Sequence, residues 1–565
     1  MKKALLIASI ALLNLFAQSR FDSFYVHQLE SKAELNGKSL YERYCADCHH
    51  KDRIGTSAPP LLPVFLKRMS DERLKTIIKN SLPQTLMPKF DFLSDSQIEA
   101  IVTYLRQPLN KNVKWDLENI KGSVKTFETA RKKLGIHDIR NVTLVVERGA
   151  DKVWIMENEK VLDRFDFSNV HGGLKFTLDG KSFFVPTRDG WIGRYSLEEG
   201  RLTKKVRACV NLRNVSVERN GNYLFATCLL PQSVVIFETK TLKPLKMVPV
   251  KGKISALYEL YSKDEAIFTF RDRPKLVKVD TKTFQFKYYD LKRPIEDFFI
   301  DPFEEYIIGT TRRGSRLSVY NLKDLKEIFE SKIEGMPHLF SATYWYRDGN
   351  FYFATPHLRK PYVTVWRMYD WALIKKIDTD GDGFFVKTHP ASAYLWADNS
   401  TDELVLIDKR DYKKRVLVPK KGKRYIHTEF SGDGRLAYLS IYEPDGALMV
   451  YETDTFRKIK KYPANVPVGK YNFINKNRVF YPRLFGMSIF KEKCWGCHHQ
   501  TAEAFGPPFS KIAKQRNDAE IMAQIVDPEH TYKDLGYKRN SMPAFDLNAK
   551  ELKSIVEYIK SFKGE

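Results

Sequence analysis

The sequence predicts a three-part chain: a small all-α domain at each end and, between them, an all-β propeller of about seven or eight blades. Three observations predict it. Apolar residues recur at helical spacing near both ends. Between 138 and 480, short β-branched and aromatic runs alternate with turn dipeptides at an interval of roughly 40 residues. A Cys-x-x-Cys-His motif occurs once in each helical end.

In chain order, Lys2 and Lys3 precede an apolar run from Ala4 to Phe16, and Ala17-Gln18-Ser19 offers small residues for cleavage. This reads as a secretory signal over 1–19, cleaved on export to the periplasm. An uncleaved anchor is the other reading, but the run is shorter than the ~20 residues a span needs. No later run is long enough, so no stable membrane span is expected. Residues 36–110 form the first helical domain, with Ser94 as N-cap and Ile98, Ile101, Val102 and Leu105 on one face. Residues 111–137 read as a charged connector with helical character. The propeller follows over 138–480. Turns such as Asp179-Gly180, Asn220-Gly221 and Asp433-Gly434 precede strand-like runs. Residues 481–565 return to the first plan, closing on Leu552, Ile555, Val556 and Ile559.

The chain of 565 residues is 43% hydrophobic with a formal charge of +25. The basic residues are spread along it, and an exported protein does not meet nucleic acid. The expected partner is a soluble redox protein, a c-type cytochrome or copper protein, of acidic character. Of six cysteines, Cys209 and Cys228 lie outside the Cys-x-x-Cys-His motifs and flank one predicted hairpin. Export permits a disulfide there, and two small buried apolar residues fit equally well.

Cys45-Ala46-Asp47-Cys48-His49 and Cys494-Trp495-Gly496-Cys497-His498 carry the spacing at which two thiols add to one porphyrin, with the next histidine under the iron. Two covalently bound c-type haems are therefore expected. Leu86-Met87-Pro88 and Ser541-Met542-Pro543 precede the closing helices and resemble the Met-Pro loop of class I cytochromes c. That resemblance makes Met87 and Met542 the distal iron ligands opposite His49 and His498. Pro59-Pro60 and Pro507-Pro508 also fit that family, where this stretch supports the histidine.

Residues 140–480 resemble the haem d1 propeller of the cytochrome cd1 nitrite reductases and their paralogues in haem d1 assembly, among them the dihydro-haem d1 dehydrogenases. Val170-His171-Gly172-Gly173-Leu174, followed by Thr187-Arg188-Asp189-Gly190, resembles the family's proximal site. The resemblance implies His171 as ligand to a noncovalent haem d1 or dihydro-haem d1. It also implies Arg148, Arg188 and Arg213 as partners of the macrocycle's four carboxylates, for which guanidinium is suited. Gly335-Met336-Pro337-His338 matches one of the two distal histidines of the reductases. The other should fall near Glu296-Asp297-Phe298-Phe299-Ile300-Asp301, which has none and resembles the assembly branch. His427, in Ile426-His427-Thr428-Glu429, also resembles the dehydrogenases. His357 and His389 sit in stretches shared by both branches and read as structural.

The resemblance implies an oxidoreductase like dihydro-haem d1 dehydrogenase, with His338 and His427 as catalytic proton carriers, in contact with other haem d1 assembly proteins. Two alternatives stay open: a nitric-oxide-forming nitrite reductase, and a haem d1 carrier or electron relay without chemistry of its own. A second cytochrome c after the propeller departs from both branches.

Overall fold

The computed structural model describes residues 36–56, 58–67, 69–81, 87–109, 113–170, 172–311 and 315–564. The chain divides into two compact units, residues 1–114 and 115–565. The predicted signal and His171 lie outside the described residues. Among the described residues no helix is long and apolar enough to cross a membrane.

In the first unit, helices Gly37–Tyr44 and Asp95–Arg106 cross at close range. A Cβ on Gly37 would lie 1.9 Å from the Ala100 carbonyl oxygen, so only glycine permits the approach. Ser94 caps the second helix in a full capping box with Gln97. Leu40, Tyr41, Ile98, Ile101, Val102 and Leu105 are all buried between the two helices. Arg53 is buried against the end of this pair. Its guanidinium donates to the carbonyls of Tyr104 (2.6 Å) and Leu105 (3.2 Å), two of the acceptors that a helix end leaves open.

The second unit contains eight antiparallel sheets of four or five strands, which sets the blade number at eight. In seven of them the chain runs outward from the innermost strand. The remaining sheet takes its innermost strand, Pro467–Asn472, from the end of the propeller and pairs it with Val142–Glu147, which closes the ring. The blade after Glu327–Lys332 has a divided inner edge, because Met336–Pro337 and Thr343–Arg347 both pair with Asn350–Leu358. Blades interlock by side-chain bonds between inner strands. Asn214 accepts from the Leu257 N–H (3.1 Å) and donates to its carbonyl (2.9 Å). Outermost strands such as Lys458–Pro463 and Leu373–Asp378 place lysines on their exposed edges, which discourages edge-to-edge pairing.

The connector carries one short helix, Leu117–Gly122. Further on, Lys125–Thr126 adds a fifth strand to the blade ending in Arg201–Arg207. Cys209 and Cys228 form a disulfide beside this blade. His357 is buried with both ring nitrogens bonded, to the Glu334 carbonyl and to Thr364 Oγ1, as a structural residue should be.

The C-terminal helical domain repeats the first. Helices Tyr481–Ile489 and Ala549–Lys560 cross where a Cβ on Gly486 would lie 2.0 Å from the Ser554 carbonyl oxygen. This domain shares one hydrophobic core with the propeller. Phe485, Phe490 and Ile559 pack in one cluster with Phe299, Tyr346 and Phe351. Polar contacts fix the seam: Tyr346 donates to Glu551 (2.5 Å) and Lys550 pairs with Glu305 (2.7 Å), while just before the domain Arg478 pairs with Glu304 (2.8 Å).

Candidate functional sites: two haem c centres and the propeller channel

In each helical domain the histidine of the Cys-x-x-Cys-His motif is oriented by backbone. His49 Nδ1 lies 2.7 Å from the Pro59 carbonyl oxygen, and His498 Nδ1 lies 2.8 Å from that of Pro507. A carbonyl only accepts, so the proton sits on Nδ1 and the Nε2 lone pair is left for iron. Burial pushes His49 below its ordinary value, which favours the neutral, ligating ring. The thiols of Cys45, Cys48, Cys494 and Cys497 are free of disulfides. Gly506 lets the His498 ring pack on the backbone, since a Cβ there would sit 2.5 Å from its Cε1. The donor set thus fits a covalently attached haem in both domains. Met87 packs partly buried on the first core, with its carbonyl accepting from Ser81 Oγ at 2.5 Å. Met542 packs on the C-terminal core, its N–H donating to Asn540 at 3.0 Å.

The propeller site follows from topology. In a meander blade, the turn between second and third strands and the link from one blade to the next open on one face. The other two turns open on the opposite face. Arg148 and Arg188 fall in second-to-third-strand turns, and Gly172 and Gly173 in an interblade link. Arg213 and His427 lie in the first half of innermost strands, and His338 directly follows one. All therefore gather on one face and along the channel. The seam with the C-terminal domain uses Asp301–Glu305, Asp348 and Tyr369, which lie in the other class of turn, so that domain covers the far face.

On the site face Arg148 and Arg188 are exposed, and Arg148 donates to the Tyr442 hydroxyl (3.2 Å). Arg213 is half-buried, donates to the Ser255 carbonyl and lies 5.1 Å over the Phe340 ring. His338 Nδ1 lies 2.7 Å from a carboxylate oxygen of Asp297, whose other oxygen accepts from the Phe340 N–H. Asp297 thus orients the His338 ring.

His427 sits in a β-bulge, with positive φ (53°). Its N–H donates to Asp398 (3.1 Å) and its carbonyl accepts from Lys470. Its ring meets Phe385 edge-on at 4.5 Å, and Phe385 in turn reaches the His338 ring at 6.4 Å. The imidazole is buried, and its Nδ1 has no hydrogen-bond partner. Burial, reinforced by Lys470, Lys476 and Lys387, holds it well below the ordinary histidine value, so the ring is neutral. A non-glycine residue with positive φ and an unbonded buried nitrogen are costs that persist at functional sites. Gly173 donates to the Tyr471 hydroxyl at 2.8 Å, which fixes the loop beside His171.

Residues 137–476 match the family described as "Cytochrome D1 heme domain". The chain belongs to this family. Its flanks match further families: residues 32–105 "Cytochrome C oxidase, cbb3-type, subunit III" and residues 485–563 "Cytochrome c". Among curated relatives, dihydro-heme d1 dehydrogenase of Pseudomonas aeruginosa is 32% identical over 79% of this chain and 95% of its own length. Nitrite reductase of Stutzerimonas stutzeri is 21% identical over 83% of this chain and 97% of its own. The solved structure of dihydro-heme d1 dehydrogenase NirN in complex with DHE has a TM-score of 0.74 at 31% identity, covering 78% of this chain and 99% of that one. The chain is thus a haem-dependent oxidoreductase of the D1 family, more similar to the dehydrogenase than to the reductase, with a haem c domain on each side of the propeller. Sequence reasoning reached His338 and His427 but missed Asp297 as a partner, Asp398, Phe385 and the channel lysines. Asp297, Phe385, Lys387 and Lys470 lie on or just before an innermost strand, whereas Asp398 ends a second strand and Lys476 a short helix, so no shared local signal marks them.

Proposed function

We propose that this chain is a periplasmic dihydro-haem d1 dehydrogenase. The substrate is the macrocycle, bound on the site face with His171 as its iron ligand and with Arg148, Arg188 and Arg213 receiving carboxylates. The reaction converts a propionate –CH2–CH2–COO⁻ to –CH=CH–COO⁻ and releases two electrons and two protons. His427 carries the reading: a neutral, buried imidazole with an unengaged nitrogen can accept a proton from a side-chain carbon of the substrate. Asp297 holds His338 in one orientation, so its second nitrogen can exchange a proton toward solvent. His49 with Met87 and His498 with Met542 would hold the two c-haems, which would supply one-electron acceptors. An acidic c-type cytochrome or copper protein would be the onward acceptor, drawn by the net charge of +25.

The test uses purified protein carrying both c-haems and loaded with dihydro-haem d1. Conversion to haem d1 with reduction of the c-haems is expected, and His427→Ala should slow it about 10²–10⁴-fold, the usual contribution of a positioned acid or base. Fast nitrite reduction without conversion would replace this reading with a nitrite reductase. Neither activity would leave a carrier or relay. In the free protein His427 is already neutral around pH 6.5. Protonation of this imidazole should therefore cause no loss of kcat/KM as pH falls through that value, and a loss only well below it.

A further inference from the structure

Beside His427 the channel wall carries three lysines. Lys387 comes from the innermost strand of the preceding blade and Lys470 from that of the following one. Lys476 comes from the short helix Phe473–Lys476 that ends the ring. Lys387 is 8% exposed and Lys470 0%. Lys470 donates to the His427 carbonyl and to Ser440 Oγ (2.6 Å). Lys476 pairs with Glu429 at 3.2 Å, and Glu429 also accepts from Asn475. The other nearby carboxylate, Asp398, accepts from the backbone N–H groups of Phe384, Phe385 and His427. Three lysine amines thus share one directly paired carboxylate. Burial holds Lys470 well below the ordinary lysine value, and an anion entering the cluster would favour the charged amines. Burial and the Lys476 ammonium bring Lys387 down to about 7, which marks how poorly its charge is compensated.

The geometry points to a carboxylate subsite at Lys387, backed by Lys470 and Lys476, that holds the carboxylate of the propionate chain next to the His427 imidazole. This rests on the dehydrogenase reading and deepens it. A propionate has its carboxylate two carbons from the ring. Anchoring that end at Lys387 would present the intervening CH2 groups to His427, and fixing both ends of a short chain is how a site removes its rotational freedom before reaction. Arg148, Arg188 and Arg213 lie elsewhere on the site face, on other blades than Lys387.

The test is a spectral titration of protein carrying both c-haems, with dihydro-haem d1 and with its fully esterified methyl ester as probes. Lys387→Met should weaken the acid about tenfold, the loss of one charge-assisted contact, and leave the ester within about twofold. Lys387→Arg should restore most of the acid's affinity. Lys387→Gln serves as a second neutral variant, with c-haem spectra and melting of every variant confirming the fold. Equal weakening of acid and ester, or no weakening of either, would overturn the subsite. Turnover is scored separately with unaltered protein. Binding that depends on Lys387 without conversion would remove the dehydrogenase reading and keep the subsite. Conversion with an acid affinity indifferent to Lys387 would do the reverse.

Discussion

Replacing Tyr346 with Phe should loosen the C-terminal cytochrome from the propeller. Tyr346 and Glu551 are 3% and 4% exposed, and their oxygens lie 2.5 Å apart. The other Glu551 oxygen accepts from the Asn548 N–H in a capping box (2.9 Å), so the tyrosine hydroxyl is the donor that faces the seam. Burial and the adjacent Glu551 push the phenol far above its ordinary value, so it remains a donor at any ordinary pH. Phenylalanine keeps the edge contact with Phe351 at 5.2 Å and removes only the hydroxyl. A hydrogen bond to a charged, buried acceptor contributes about 1.5–3 kcal/mol, or roughly 10- to 150-fold in the unfolding equilibrium. The assay is urea unfolding followed by Soret circular dichroism, in a double-mutant cycle with Glu551→Gln. A coupling energy of about 1–2 kcal/mol is expected. Single variants within about 0.5 kcal/mol of the parent, or strictly additive ones, would refute the claim that this bond holds the domain.

Gly486→Ala should destabilise the same domain by about 1–3 kcal/mol, because the added Cβ would overlap the Ser554 carbonyl, and Gly37→Ala should do likewise in the first domain; selective loss of each haem's Soret signal on heating would show it. Met87→Ala and Met542→Ala should each remove part of the near-infrared Met-to-iron band and lower one haem's potential; a band unchanged in the double variant would discard both ligands. Asp297→Asn should slow conversion while sparing macrocycle affinity, since it releases the His338 ring without touching the arginines; a loss of affinity with unchanged turnover would contradict its orienting role.

The parts of this architecture that were legible in the sequence are those written in local spacing. Cys45 to His49 and Cys494 to His498 specify their chemistry within five residues. The support of their histidines by Pro59 and Pro507 is implied by the resemblance to class I cytochromes c, not by spacing alone. The propeller repeat was legible, but the number of blades was not. One inner edge is divided between Met336–Pro337 and Thr343–Arg347, and the first blade borrows Pro467–Asn472 from the far end. The connector read as charged and helical because its lysines mask Trp115 and Ile120, which pack against the blade beside Cys209. His338 and Asp297 are 41 residues apart and meet only because each opens its blade. The lysine cluster joins three elements, each of which shows a single lysine in an apolar run. Nothing local distinguishes such a lysine from a solvated one.

The borrowed strand also sets an order of events in folding. Asn472 bonds to Thr143 across 329 positions of chain, and the C-terminal cytochrome begins a few residues later. Local hairpins within each blade can form early, but the ring cannot shut until nearly the whole chain is available. A contact of such sequence separation forms slowly because its entropy must be lost before it is rewarded. The cytochrome that follows docks on the face that this closure completes, through Lys550 and the shared aromatic core. It therefore acts as a latch on the last step of assembly, so a chain lacking residues 481–565 should shut its ring less firmly even where the macrocycle site is untouched.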